Sequence, residues 1–265
     1  MKMFLSIAKS LAKIRSERPV VYNITNDVVM NFTANALLSI GASPIMSDAI
    51  EETEDLLRIS KALVINLGTL NPPWVQAAEL AMKLALRKGI PVVLDPVGAG
   101  ASGYRTRTAS KLCREYSPSV IRGNAAEIKA LGGGLEKSCG VDSAEAPERA
   151  LEDASKLSLK CSSVVCISGA TDYVVQGEKI SMRNLGHPIM SRVTGMGCVS
   201  TAVIGAFLSV EPDVFSAVES AVTLMGVAGM IASQELKGPG SFQVSFLDTL
   251  YKIGEKELEK FSSWV

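Results

Sequence analysis

The stretch "ALVINLG", residues 62–68, is an uninterrupted apolar run that ends in polar and glycine residues. A strand with one solvent-exposed face alternates apolar and polar residues, whereas a strand covered on both faces is apolar throughout. The run therefore predicts a central strand of a parallel sheet that has helices on both sides.

Similar runs recur along the chain and alternate with amphipathic stretches. Further strands are predicted at 19–23, 43–47, 90–96, 119–124 and 162–170, with a hairpin at 172–184 that turns at Gly177. Helices are predicted at 28–40, 74–87, 107–115 and 126–131, and almost continuously from Gly197 onward. The N-terminal segment is expected to be helical as well, with one apolar face made by Phe4, Ile7, Leu11 and Ile14.

This order of elements predicts a doubly wound α/β sandwich with a mostly parallel central sheet. The Gly/Ser/Pro-rich segment 132–148 is interpreted as a long surface loop rather than a domain linker. We therefore expect residues 1–265 to form a single domain.

Composition excludes several classes of partner and site. With 265 residues, 47% of them hydrophobic, and a net charge of zero, the chain can bury a large core but offers no basic surplus for nucleic acid. Its longest apolar stretches, such as "TAVIGAFLSV" (201–210), are about half the length that a bilayer requires, so no membrane span is expected.

Cysteine usage indicates the compartment. The chain has one histidine, no C-x-x-C pair and five cysteines, which are Cys113, Cys139, Cys161, Cys166 and Cys198. This pattern argues against a zinc site and predicts a reducing, cytoplasmic location.

Polar and glycine residues follow the predicted strands, where ligands bind in doubly wound sheets. These segments are "NITND" (23–27), "NLGTLNP" (66–72), "LDPVGAGASGYR" (94–105), "IRGNAAE" (121–127) and "ISGATD" (167–172). Buried strands have no structural need for such ends. We therefore predict a functional site at this edge of the sheet.

The stretch "SRVTGMGCVSTAVIGAF" (191–207) joins a glycine-rich turn to an apolar helix. Taken alone, it is explained by a tight turn. However, Gly195 and Gly197 flank a helix N-terminus, whose free N–H groups attract anions, and Cys198 lies beside it. The motif follows a hairpin instead of opening a βαβ unit, and no Walker A sequence is present, so neither a dinucleotide-binding fold nor a P-loop NTPase is indicated.

Two carboxylates and one arginine suit a magnesium–polyphosphate complex. Asp95 and Glu127 each follow a strand, where they can hold a hard cation or its waters, and Arg122 can bind phosphate oxygens. Structural alternatives remain, because either carboxylate could cap a helix and Arg122 could pair with Glu127. His187 is interpreted as a structural residue.

Five segments together resemble the hydroxyethylthiazole kinase family of the ribokinase-like superfamily. They are "VYNITNDVVMNFTANALLSIGASPIMSDA", "DPVGAGASGYRT", "IRGNAAEI", "GHPIMSRVTGMGC" and "GPGSFQVSFLDTLY", and they span about Val20 to Tyr251 in order. The resemblance implies a ribokinase-like α/β/α sandwich and a homotrimer with active sites between subunits. It also implies ATP- and Mg²⁺-dependent phosphorylation of 4-methyl-5-(2-hydroxyethyl)thiazole, a step of thiamin salvage.

The resemblance also assigns roles to residues. It implies that the thiazole contacts Met46 and Gly195 with Asn26 and Gly68 nearby, that ATP contacts Arg122 and Ser168, and that magnesium is organised by Asp95 and Glu127. Cys198 occupies the place where other ribokinase-like kinases carry an aspartate base, after the catalytic turn of Gly195 and Gly197. The chain departs from the family pattern at three positions, which are Ala126, Ser168 and Met196.

Two other functions remain open on the same scaffold. An ADP- or ATP-dependent dehydratase would carry a carboxylate where Cys198 stands, so the thiol argues against it. A ligand-binding or regulatory protein that has lost catalysis would explain the missing aspartate, but it would not explain Asp95, Glu127 and Arg122. The protonation state of Cys198 also stays open at this point.

Overall fold

In the computed structural model, which describes residues 2–133, 147–234 and 237–261, eight strands form one sheet. The strands are β1 (Val20–Ile24), β2 (Ser43–Met46), β3 (Ala62–Asn66), β4 (Val92–Asp95), β5 (Val120–Asn124), β6 (Val164–Ser168), β7 (Asp172–Gln176) and β8 (Lys179–Arg183). Their order is β2-β1-β3-β4-β5-β6-β7-β8, with β1 to β6 parallel and the β7–β8 hairpin antiparallel. The predicted mostly parallel sheet is confirmed.

Helices connect the strands and cover the sheet. They are α1 (Lys2–Glu17), α2 (Met30–Ser39), α3 (Thr53–Ile59), α4 (Pro72–Lys88), α5 (Gly103–Tyr116), α6 (Ala125–Gly132), α7 (Pro147–Cys161), α8 (Met196–Leu208), α9 (Val214–Ala232), α10 (Pro239–Lys252) and α11 (Glu255–Glu259). Short 3₁₀ helices occupy Ile50–Glu52 and Pro188–Arg192. Helices α3 and α7 were not predicted. Most of the predicted 132–148 loop, together with Cys139, lies outside the described residues.

Alternate strand residues point to opposite faces of the sheet and so build two apolar cores. Val21 and Val64 pack with α1, α2, α8, α9 and α10 on one face. Tyr22 and Leu63, their neighbours in sequence, pack with α3 to α7 on the other face. Every strand position in the centre of the sheet is therefore covered, which is why these strands are apolar without alternation. The predicted three-layer sandwich is confirmed.

Helix α9 corrects the estimate of apolar length made from the sequence. This helix has 19 residues and a mean hydropathy of 1.7, so it is long and apolar enough to cross a membrane. However, 72% of an 18-residue stretch of this helix is buried within the protein, and the helix packs against α8, α10 and the β7 strand. Its apolar character is explained by a central position in the core.

The strand order changes direction beside β1, because β2 lies on one side of it and β3 on the other. Doubly wound sheets bind ligands at this switch point, beyond the carboxyl ends of the strands. Helix α8 packs against β1, β3 and β4, and residues at its N-terminus line the same cavity as Asp95, the last residue of β4.

Candidate active site

A cavity of about 250 Å³ opens at the carboxyl ends of the central strands, beside the N-terminus of α8. It is lined by Asp95, Val97, Arg122, Asn124, Glu127, Ser168, Gly195, Gly197 and Cys198. The residues that the sequence linked to ATP, magnesium and catalysis therefore share one cavity, although they come from four separate segments of the chain.

Asp95 ends β4 as a buried carboxylate with polar partners on three elements. Its Oδ2 accepts hydrogen bonds from Asn66 Nδ2 and Thr201 Oγ1, each at 2.8 Å, and lies 3.9 Å from Arg122 Nη1. Burial raises the pKa of Asp95 to about 6, against the opposing effects of Arg122 and the two donors. The alternative that Asp95 caps a helix is wrong. The alternative that Arg122 pairs with Glu127 is wrong too, because Arg122 pairs with the carboxylate of Asp95.

Glu127 does cap a helix, and it also reaches a second loop. It forms a capping box with Asn124 at the start of α6, in which Oε2 accepts from Asn124 N at 2.8 Å. Its Oε1 accepts from Gly98 N at 2.8 Å, in the loop after β4. Two backbone donors thus hold this carboxylate at the wall of the cavity.

The two carboxylates suit a magnesium ion bound mainly through water and phosphate. Among the described residues, no group of three or more His, Cys, Asp and Glu side chains could enclose a metal ion. Magnesium usually retains several waters and takes one or two carboxylates plus substrate phosphates. Asp95 and Glu127 fit that pattern, since the bonds from Asn66 and Thr201 both use Asp95 Oδ2 and leave Oδ1 for a further ligand.

Arg122 extends from β5 with only 12% of its side chain exposed. Burial by itself lowers the pKa of this guanidinium, but nearby carboxylates, Asp95 foremost, raise it, and the net shift is upward, so Arg122 remains charged. Its buried Nε has no hydrogen-bond partner within the described protein. Arg122 also lines the cavity, so its guanidinium can contact an anionic ligand there.

Glycines at the start of α8 allow close approach. Gly195 is the N-cap residue with φ of 88°, and a β-carbon there would lie 2.8 Å from Val29 Cγ1. At Gly197 a β-carbon would lie 2.5 Å from Arg122 Nη1. The N-cap glycine itself has no side chain with which to cap this helix. Its first N–H groups and Arg122 therefore face the same space, which suits a phosphate group.

Cys198 is partly buried between two carboxamides and the carboxylate. Asn26 Nδ2 lies 3.6 Å from its sulfur and also donates to Asn66 Oδ1 at 2.7 Å. Burial raises the pKa of the Cys198 thiol and Asp95 raises it further, whereas the two amides and Arg122 lower it. The net shift is upward, so the thiol is protonated at neutral pH and the helix N-terminus does not produce a thiolate.

Three of the four residues predicted for the acceptor lie near Cys198. Gly68 packs directly on Asn26, since a β-carbon on Gly68 would lie 2.5 Å from Asn26 Cγ. Gly195 lines the cavity itself. Met46 is the exception: it ends the edge strand β2 in register with Asn23, and it does not line the cavity of the single chain.

The sequence did not single out three residues that organise the site. Asn66 joins Asn26, Asp95 and the Gly68 N–H, and its position at the end of an apolar strand was a usable signal. Thr201, one turn into an apolar helix, carried no such signal. Nor did Arg105, whose guanidinium reaches the loops after β3 and β4. His187 is exposed, and its Nδ1 accepts from Ile189 N at the start of a 3₁₀ helix, a contact that supports the structural interpretation of this residue.

Comparison with known proteins finds one family that matches nearly the whole chain. The model of the hydroxyethylthiazole kinase family matches residues 11–256. A hydroxyethylthiazole kinase of Syntrophus aciditrophicus is 48% identical over 248 residues, which cover 93% of this chain and 92% of that protein. A solved structure of the hydroxyethylthiazole kinase protein from Pyrococcus horikoshii OT3 is 40% identical, covers 96% of both chains and superposes with a TM-score of 0.88.

A more distant structure defines the fold. A ribokinase-like superfamily protein of Enterococcus faecalis V583 is 15% identical, covers 91% of this chain and 89% of that chain, and has a TM-score of 0.65. This likeness concerns the three-layer architecture. The extent and identity of the closer matches, together with this architecture, show that the chain belongs to the hydroxyethylthiazole kinase family and has the ribokinase-like fold.

Proposed function

We propose that this chain transfers the γ-phosphoryl group of ATP to the hydroxyl of 4-methyl-5-(2-hydroxyethyl)thiazole. One observation carries the proposal. A buried arginine, two carboxylates and a helix N-terminus whose N-cap is glycine share one cavity, beside the thiol and amides of a second subsite. Membership of a kinase family supports ATP as the phosphoryl donor.

At the nucleotide end, Arg122 and the first N–H groups of α8 bind the oxygens of the transferring phosphoryl group. Phosphoryl transfer depends mainly on positioning and on stabilising charge in the transition state. Arg122 is fixed for this purpose by its contact with Gly197 and its ion pair with Asp95. Ser168, which donates to Gly123 O at 3.3 Å, lies on the same wall and contacts the nucleotide.

Asp95 and Glu127 hold magnesium or its coordinated waters. Magnesium bound there would partly neutralise the charge of the terminal phosphates. The chain's contribution is to fix the two carboxylates, through Asn66 and Thr201 for Asp95 and through two backbone N–H groups for Glu127.

At the acceptor end, Asn26, Gly68, Gly195 and Met46 bind the thiazole, and Cys198 contacts the attacking hydroxyl. The neutral thiol orients that hydroxyl and does not remove its proton as a strong base. In a loose transition state the hydroxyl loses its proton late, so a strong base is not essential.

The single chain supports a shared acceptor subsite. Met46 lies on edge strand β2, none of whose residues is fully buried, and it stands apart from the cavity. Helix α2 packs against β2, and its large apolar side chain Leu38 is exposed at 57%. We propose a homotrimer in which a neighbouring subunit covers this edge and completes the thiazole subsite.

The described cysteines Cys113, Cys161, Cys166 and Cys198 are free thiols, which supports a cytoplasmic location.

The deciding experiment measures ADP and thiazole phosphate formed from ATP, Mg²⁺ and hydroxyethylthiazole. Stoichiometric formation of both products is expected. Thiazole and ATP binding without turnover would favour the regulatory alternative instead. A dehydratase would consume ATP or ADP with a hydrated cofactor and not with the thiazole; the thiol at position 198 argues against that activity.

A further inference from the structure

We propose that Arg105 is a positioning residue that holds the acceptor side and the carboxylate side of the active site together. Its guanidinium, on α5, donates to three backbone carbonyls in two loops. Nη1 bonds Leu67 O and, at 2.9 Å, Val97 O; Nη2 bonds Gly68 O at 2.7 Å. Leu67 and Gly68 follow β3, and Val97 follows β4. One side chain thus links the ends of two adjacent strands.

Each of these loops carries a different part of the site. The loop after β3 contains Gly68, whose N–H donates to Asn66 Oδ1, and Asn66 in turn contacts Asn26 beside Cys198. The loop after β4 contains Gly98, whose N–H donates to Glu127 Oε1. A shift of one loop relative to the other would therefore change the separation between the acceptor hydroxyl and the carboxylates.

Two local features show that the sequence accommodates this arginine for its contacts and not for helix stability. Arg105 lies in the first turn of α5, three residues after the N-cap Ser102, where the helix dipole disfavours a positive charge. Gly98 has φ of 76°, and a β-carbon there would lie 2.9 Å from Arg105 Cδ. The loop therefore passes the arginine stem at a distance that only glycine allows.

Lysine cannot replace this arrangement. The planar guanidinium presents several N–H groups in fixed directions, and here two nitrogens serve three carbonyls. An ammonium is a single point donor on a flexible stem. Because a misplacement of about 1 Å can reduce turnover by about 10²-fold, loss of the second and third bonds is expected to reduce kcat more than substrate binding.

The test compares Arg105→Lys and Arg105→Ala with Arg114→Ala. Arg114 lies on the same helix, is largely exposed and pairs only with its neighbour Glu115 among the ion pairs described for it. We expect kcat for the thiazole to fall by about tenfold or more in both Arg105 variants, with KM for ATP changed by less than about threefold. Arg114→Ala is expected to match the parent.

Millimolar ethylguanidinium is expected to restore much of the kcat of Arg105→Ala, whereas ethylammonium is not. Unchanged kcat in a folded Arg105→Lys protein would overturn the proposal.

A second readout does not depend on the reaction. The kinetic part rests on the proposed function, but hydrogen exchange measured by mass spectrometry does not. Peptides covering 66–71 and 96–102 are expected to exchange faster in Arg105→Lys than in the parent, and ethylguanidinium is expected to slow them again in Arg105→Ala. Exchange that stays unchanged in both loops contradicts the positioning role, even if kcat falls. A parent protein without thiazole kinase activity would refute the proposed function and leave this exchange test valid.

Discussion

At the scale of single residues, Cys198 is the group whose chemistry the surroundings decide. Its raised pKa makes it a neutral thiol at pH 7, so we expect the helix N-terminus and Arg122 to provide most of the rate. Cys198→Ala should therefore keep clearly measurable kinase activity. Cys198→Asp, which places the superfamily carboxylate in a site that already offers amide donors, should also be active.

The competing role for this residue is a covalent nucleophile that carries the phosphoryl group. It requires an inactive Cys198→Ala protein and a phosphocysteine that forms with ATP alone. Steady-state rates of both variants and intact-protein mass spectrometry of the ATP-treated enzyme separate the two roles. A stable phosphorylated Cys198 would refute the neutral-thiol mechanism.

Arg122 provides the second prediction at this scale. Arg122→Ala is expected to raise KM for ATP and to lower kcat/KM. The fall in kcat/KM should correspond to a loss of about 1.5–3 kcal/mol of transition-state stabilisation, the contribution of a hydrogen bond to a charged group. Arg58→Ala is the matched control, because its guanidinium is exposed and pairs with Asp55 on the surface. If Arg122→Ala unfolds at assay temperature, the residue belongs to a structural ion pair and the nucleotide role fails.

The third prediction concerns Asp95 and Glu127. Asp95→Asn and Glu127→Gln should each shift the Mg²⁺ requirement of the reaction to higher concentration, because a hard cation needs anionic oxygen. Glu79→Gln, which removes a surface partner of Lys111, serves as the control. Mg²⁺ titrations that coincide with the parent for both variants would remove these residues from the metal site.

At the scale of elements, the N-terminus of α8 works together with the end of β5. Because a β-carbon on Gly197 would lie 2.5 Å from Arg122 Nη1, Gly197→Ala should displace the guanidinium and reproduce the raised KM for ATP of Arg122→Ala. Gly197 has no positive φ, so the helix itself should form. Gly240→Ala, in the first turn of α10 with open space around it, is the control. An unchanged KM for ATP in Gly197→Ala would show that Arg122 does not need this contact.

At the scale of the whole molecule, the acceptor subsite is expected to need a second subunit. Met46 lies apart from the cavity, on an edge strand beside exposed apolar residues. The protein should therefore behave as a closed homo-oligomer, with a trimer as the expected state. Light scattering combined with activity at the same micromolar concentration checks this. A fully active monomer would contradict the shared subsite.

Much of this architecture could be predicted from the sequence, because it depends on local patterns. Apolar runs such as residues 62–68 indicate strands covered on both faces, and the polar residues that follow them mark the ligand-binding edge. The cavity confirms that Asp95, Arg122, Glu127 and Cys198 come together. Helices α3 and α7 were not predicted. Helix α7 was missed because it begins at the end of the segment 132–148, whose composition is typical of a loop.

Only the tertiary structure decided which of these side chains touch, and which of them are charged. Arg122 pairs with Asp95 from the adjacent strand, and Asp95 also accepts from Thr201, 106 residues away in α8. Such pairings depend on strand order and on how α8 crosses the sheet, which no local pattern encodes. The same holds for Cys198: the sequence left its protonation state open, because a helix N-terminus favours a thiolate and nearby ATP disfavours it, whereas in the structure burial and the nearby carboxylate raise its pKa. Local periodicity determined the scaffold, whereas long-range packing determined the electrostatics of the site.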